Sequence, residues 1–174
     1  MQNSRIIKMG SLAGVAIVLW LLLFYFVDKK LYFHPGVQWG VLPFYALAMY
    51  LACRGEARQN TELYAWQPAL RTAFGTFVVT HLIAHVFYFV LLKFIDPGMI
   101  NLQAEVFSEG LERSKNLLGE ENAWKMKDQY QAEDFIPTFQ KSAFAFTFGL
   151  IGGFVMSLAV AWSTYGKSGF SQGK

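Results

Sequence analysis

From Met9 to Val27 the chain reads MGSLAGVAIVLWLLLFYFV, a stretch without a single charge. A helix rises about 1.5 Å per residue, so this run alone covers a bilayer's hydrocarbon core, roughly 30 Å thick. Arg5 and Lys8 ahead of it imitate a secretory leader. The run is longer than a usual leader core, however, and it ends in Asp28-Lys29-Lys30 instead of a small-x-small cleavage site. It reads as a retained first span, residues 9–27. That reading sets the class, because a chain with one such segment places its other long apolar segments in the same solvent.

Outward from this span, Leu31–Gly36 makes a short turn with Pro35-Gly36 as the breaker. A second and shorter span, 37–53, follows, with Pro43 in its first two turns. Arg54, Glu56, Arg58 and Glu62 mark a polar linker. The third span is 68–95, with Pro68 in its first turn and Arg71 and Lys93 near enough to its ends to snorkel. Asp96-Pro97 closes it and suits a new helix start, Asp96 capping and Pro97 at the first position. Residues 97–136 are the one extended polar segment. Ile100, Phe107, Leu111 and Leu118, then Trp124, Met126 and Tyr130 beyond Gly119, read as a pair of amphipathic helices at the membrane surface. The fourth span is 142–165, followed by a Gly/Ser/Lys tail expected to be disordered. The fold class is therefore an all-α integral membrane protein, with four transmembrane helices and an amphipathic segment between the third and fourth.

Composition agrees. Of 174 residues 54% are hydrophobic and 16% charged, and the mean hydropathy is +0.30. Soluble domains carry about 25% charged residues. The net charge of +3 is not gathered into a basic patch with interleaved aromatics, so nucleic-acid binding has no support. The single cysteine, Cys53, rules out an internal disulfide and a cysteine metal cage. Arg5, Lys8, Arg54, Arg58, Arg71, Lys167 and Lys174 fall on one side of the spans, against Lys29 and Lys30 in the opposite short turn. The long segment is net acidic. The positive-inside bias puts both termini and the second linker of a multi-pass protein in the cytoplasm. Aromatic belts agree, with Tyr64, Trp66, Trp162 and Tyr165 at the inner level and Phe24, Tyr25, Trp39 and Phe94 at the outer one.

A long third span ends in Phe94-Ile95-Asp96-Pro97-Gly98-Met99-Ile100, an acidic helical segment follows, and a glycine-rich span closes the chain. In this layout the chain resembles the bacterial membrane family catalogued as domain of unknown function 4199. The resemblance implies a small four-span inner-membrane protein of a Gram-negative bacterium. It carries over no activity, substrate or catalytic residue.

Three constellations could carry function. His81 and His85, four apart on the third span, share a face with Thr72, Thr76, Thr80 and Tyr88, a polar stripe at bilayer depth. The sharp readings are a metal or haem site, or a proton or quinone relay. The zincin pattern fails, since residue 82 is Leu where that chemistry needs Glu. The plainer and preferred reading is hydrogen-bonded polar glue within the bundle. Gly149, Gly153, Ser157 and Ala161 form a small-residue stripe on the fourth span, with Gly10 and Gly14 a matching pair on the first. Such spacing lets helix backbones approach, within the monomer or across a homo-oligomer or partner seam. Phe107, Leu111, Trp124 and Tyr130 on the acidic segment could rest on lipid or dock a partner. No P-loop, dinucleotide fingerprint, nucleophile elbow or Cys-x-x-Cys occurs. No enzymatic activity and no cofactor are expected. The leading expectation is an accessory or scaffolding membrane protein. The alternatives are a small oligomeric transporter or channel lined by the polar stripe, and a haem- or quinone-associated redox subunit.

Overall fold

The computed structural model describes residues 2–59, 65–130 and 132–169. Tyr64, assigned above to the inner belt, and the tail beyond Gly169 lie outside these, as do the side chains of Tyr165 and Lys167. The described chain is all-helical, and four helices are long and apolar enough to cross a membrane. The elements are α1 (Gln2–Val27), α2 (Lys29–Tyr32), α3 (Pro35–Trp39), α4 (Leu42–Gln59), α5 (Trp66–Val90), α6 (Met99–Arg113), α7 (Lys115–Leu118), α8 (Glu120–Gln129) and α9 (Phe139–Gly169). A π-helical turn, Leu91–Ile95, extends α5, and a 3-10 turn, Ala132–Phe135, precedes α9.

The turn after α1 is more helical than the sequence suggests. The Asp28 carboxylate accepts from the Lys30 backbone N–H at 2.8 Å and starts α2. Pro35 opens α3 instead of breaking the chain, because a first-turn proline gives up no helical hydrogen bond. His34 caps it, Nδ1 accepting from the Gly36 N–H at 3.1 Å. A turn at Gly40-Val41 interrupts the helix, and α4 restarts with Pro43 in its first turn. The helix then runs to Gln59, six residues past the expected Cys53. Its charges have a use: Arg5 of α1 reaches Glu56, which is buried, at 3.9 Å.

The central helix is α5, which packs against α1 on one flank and α9 on the other, with α4 lying against all three. Arg5 meets Glu56, and the Trp66 and Trp162 rings touch edge-on at 6.1 Å, so the start of α1 and the end of α9 share one end of the bundle. At the other end α6, α7 and α8 form a cap. The core runs through Ile17, Tyr45, Met49, Cys53, Ala69, Ala73, Phe77 and Leu91. Asp96 does not cap α6, whose cap residue is Gly98 with no side-chain bond. Its carboxylate is held elsewhere, as described next.

Candidate functional site

The polar stripe of α5 begins with three threonines that are fully buried. Their hydroxyls donate along their own helix: Thr72 to Pro68 O at 2.9 Å, Thr76 to Thr72 O at 2.8 Å and Thr80 to Thr76 O at 2.9 Å. Thr80 also lies 3.1 Å from the carbonyl of Gly10, binding α5 to α1. Back-bonding to the preceding turn is the usual way a hydroxyl is satisfied inside an apolar helix pair. Tyr88, at the far end of the stripe, donates to Gln103 of α6 at 3.1 Å and so ties the span to the cap.

His81 is stacked between two rings, Phe77 at 5.3 Å and Phe146 at 5.0 Å between centroids. Its Nδ1 lies 3.4 Å from the Tyr45 hydroxyl. The His85 ring is 5.8 Å away and also borders Phe146. The Nε2 atoms of both are buried with no hydrogen-bond partner among the described residues. Geometry bears on what His81 can hold. A Cβ built on Gly149 would stand 2.4 Å from His81 Nε2, so the backbone of α9 fills the space beside that nitrogen. Among the described residues, no three His, Cys, Asp or Glu side chains gather around one point.

The small residues are where the spans meet. A Cβ on Gly10 would lie 2.7 Å from Val79 Cβ, one on Gly14 2.8 Å from Ile83, and one on Gly153 only 1.9 Å from the Phe77 ring. Ser157 is buried and donates to Gly153 O at 2.7 Å, with Met49 Sδ 3.3 Å away, and Ala161 is fully buried beyond it. By contrast, nothing comes within 4 Å of a Cβ on Gly152, which turns away from the bundle.

At the capped end, Asp96 Oδ2 accepts from Tyr25 at 3.1 Å and from Lys29 at 2.5 Å. The Lys29 ammonium holds the Asp96 carboxyl below its ordinary value, with help from Tyr25, and Asp96 in turn raises Lys29. Lys30 reaches Glu105 at 2.7 Å and Glu109 at 3.1 Å on α6, and these two carboxylates raise it likewise. The Glu109–Arg113 pair at 3.9 Å, the Glu112–Lys115 pair and the Glu121–Lys125 pair at 2.7 Å are local to the segment. The clamps from Lys29 and Lys30 are long-range, and no spacing rule announces them.

Within the cap, Phe107 packs on Tyr130 and Phe135 at 5.5 and 5.4 Å, and Leu111 is buried. The opposite side is open: Leu117 is 90% exposed and Trp124 59% exposed, its indole flanked by Lys115 at 5.2 Å and Lys127 at 5.7 Å. The sequence reading grouped Phe107, Leu111, Trp124 and Tyr130 together, whereas the structure sends the first two inward.

The family model described as "Protein of unknown function (DUF4199)" matches residues 8–163. No curated protein and no solved structure matches the chain.

Proposed function

The chain belongs to the family DUF4199, and we propose that it serves as an accessory or scaffolding component of a membrane assembly. In this reading it is a multi-pass protein of the bacterial inner membrane with both termini cytoplasmic, as its distribution of Lys and Arg favours. One observation carries the reading. The cap uses Phe107 and Leu111 for its own packing but leaves Leu117 and Trp124 standing out among charged residues. An exposed Trp is the kind of anchor that protein interfaces use at their centre.

The transport reading has less support. The threonines that would line a path direct their hydroxyls at their own helix and at α1. The redox reading draws on the free Nε2 atoms of His81 and His85, but α9 closes on the first of them through Gly149.

The test is purification of the tagged full-length protein from its native membrane in a mild detergent, beside a Leu117→Glu, Trp124→Ala variant. Stoichiometric subunits that travel with the parent and are lost from the variant, with unchanged thermal unfolding, are the expected result. A parent that purifies as a homo-oligomer without other subunits sinks the reading.

A further inference from the structure

Between the turn that follows α1 and the facing side of α6 lies a cleft of about 930 Å³. That is near the upper end of ordinary ligand pockets, about 300–1,000 Å³. Its position is set by the spans. Asp28, on one wall, is the residue after the last of α1, and Pro35 opens the second apolar helical stretch. The cleft therefore opens at the depth where lipid head groups meet hydrocarbon.

Its chemistry is divided. Leu31, Phe33, Val106 and Phe107 give it apolar walls, and Tyr88 with its partner Gln103 adds a polar site. The charged residues are Asp28, Glu109, Lys30 and Arg113, two of each sign. Lys30 is already committed to Glu105 and Glu109. Arg113 is not committed in this way: its side chain is 76% exposed and its contact with Glu109 is 3.9 Å long. A guanidinium so placed keeps its planar fork free for a phosphate. Asp28 spends only Oδ1 on the Lys30 N–H and so offers Oδ2 to an ammonium on the same ligand, whereas Glu109 is already paired with Lys30.

We propose that this cleft binds a zwitterionic phospholipid of the adjoining leaflet. The phosphate sits on Arg113, the ammonium faces Asp28, and the glycerol and upper acyl chains lie along Leu31, Phe33, Val106 and Phe107. A net anionic lipid fits less well, because the lining is balanced in charge.

Gly110 supplies the direct test. It lines the cleft on α6, and a Cβ there would meet nothing within 4 Å, so Gly110→Phe starts from open space and puts its ring into the cleft. The full-length protein in maltoside detergent would be titrated with phosphatidylethanolamine and with phosphatidylglycerol, and retained lipid counted by native mass spectrometry. One retained phosphatidylethanolamine is expected, with about tenfold weaker retention in Arg113→Gln, the loss of one charge-assisted contact. Gly110→Phe should abolish retention at unchanged thermal stability. Equal retention of phosphatidylglycerol overturns the zwitterion assignment, and unchanged retention in Gly110→Phe places the lipid elsewhere. Soluble glycerophosphoethanolamine should compete poorly. If it competes as well as the lipid, the acyl contacts contribute nothing and a soluble ligand replaces the lipid. Should Gly110→Phe fail to fold, Arg113→Gln decides, since its side chain is largely in solvent: unchanged retention there overturns the proposal.

Discussion

The bundle and the cap hold together by different physics. In the bundle, cohesion is steric: Gly10, Gly14, Gly149 and Gly153 let α1 and α9 close onto α5 until Val79, Ile83, His81 and Phe77 fill the grooves. Inside lipid the hydrophobic effect does not drive helices together, so close packing and internally satisfied hydroxyls have to. At the cap, cohesion is electrostatic: Lys29 and Lys30, side by side after α1, clamp Asp96, Glu105 and Glu109 across to the third span and α6. The Lys30 pairs are about half open to water, and Asp96 is more sheltered. The bundle should therefore tolerate salt and pH but not volume, and the cap the reverse.

The largest expected effect tests volume. Gly153→Leu drives a side chain into the Phe77 ring and should destabilise the bundle by about 3 kcal/mol, a severe overpacking penalty. Gly152→Leu, one residue away and facing open space, should be within about 1 kcal/mol of the parent. Thermal unfolding of both in detergent checks the contrast, and equal losses would break the steric account of α9. Next in size is salt. Raising ionic strength, or substituting Lys30→Ala, should speed amide exchange in α6 while α5 stays protected. If both regions respond together, the cap is not a separate unit.

The smallest effect is on pH. Asp96 is depressed by Lys29, so its contribution is present above the ordinary carboxylate value of 3.8 and is lost as pH falls through its lowered value. Lys29 is raised by Asp96, so its contribution is complete below 10.5 and is lost as pH rises through its higher value. Protection of α6 should be flat between those limits and fall outside them. An Asp96→Asn variant should shrink the acid limb, leaving the part that Glu112, depressed by Lys115, contributes.

How much of this could be read beforehand follows from range. The four spans were legible because charge-free runs are local features and lipid imposes their length. The end of α4 was not. Arg54, Glu56 and Arg58 look like a loop until Arg5, roughly fifty positions earlier in the chain, turns out to receive Glu56. Asp96 before Pro97 carries a cap signature, yet Tyr25 and Lys29 take its carboxylate, and a tertiary partner outweighs a local preference. The spacing of Gly149 and Gly153 suggests close helix approach but names no neighbours, and in the structure His81 and Phe77 lie against them. The π-helical turn at Leu91–Ile95 has no proline or glycine to announce it. His34 caps α3 through a local bond to Gly36, whereas the cleft beside it arises only once α6 folds over the turn.

The central claim is that the protein meets its partner through the cap and not through the bundle. Site-specific photocrosslinking in native membranes tests it most directly, with the photoreactive residue at position 117 in one variant and at position 152 in the other. Position 117 should give a discrete protein adduct, and position 152, which faces away from the bundle, should give lipid adducts alone. A discrete protein adduct at 152 with none at 117 would contradict the account and move the interface to α9.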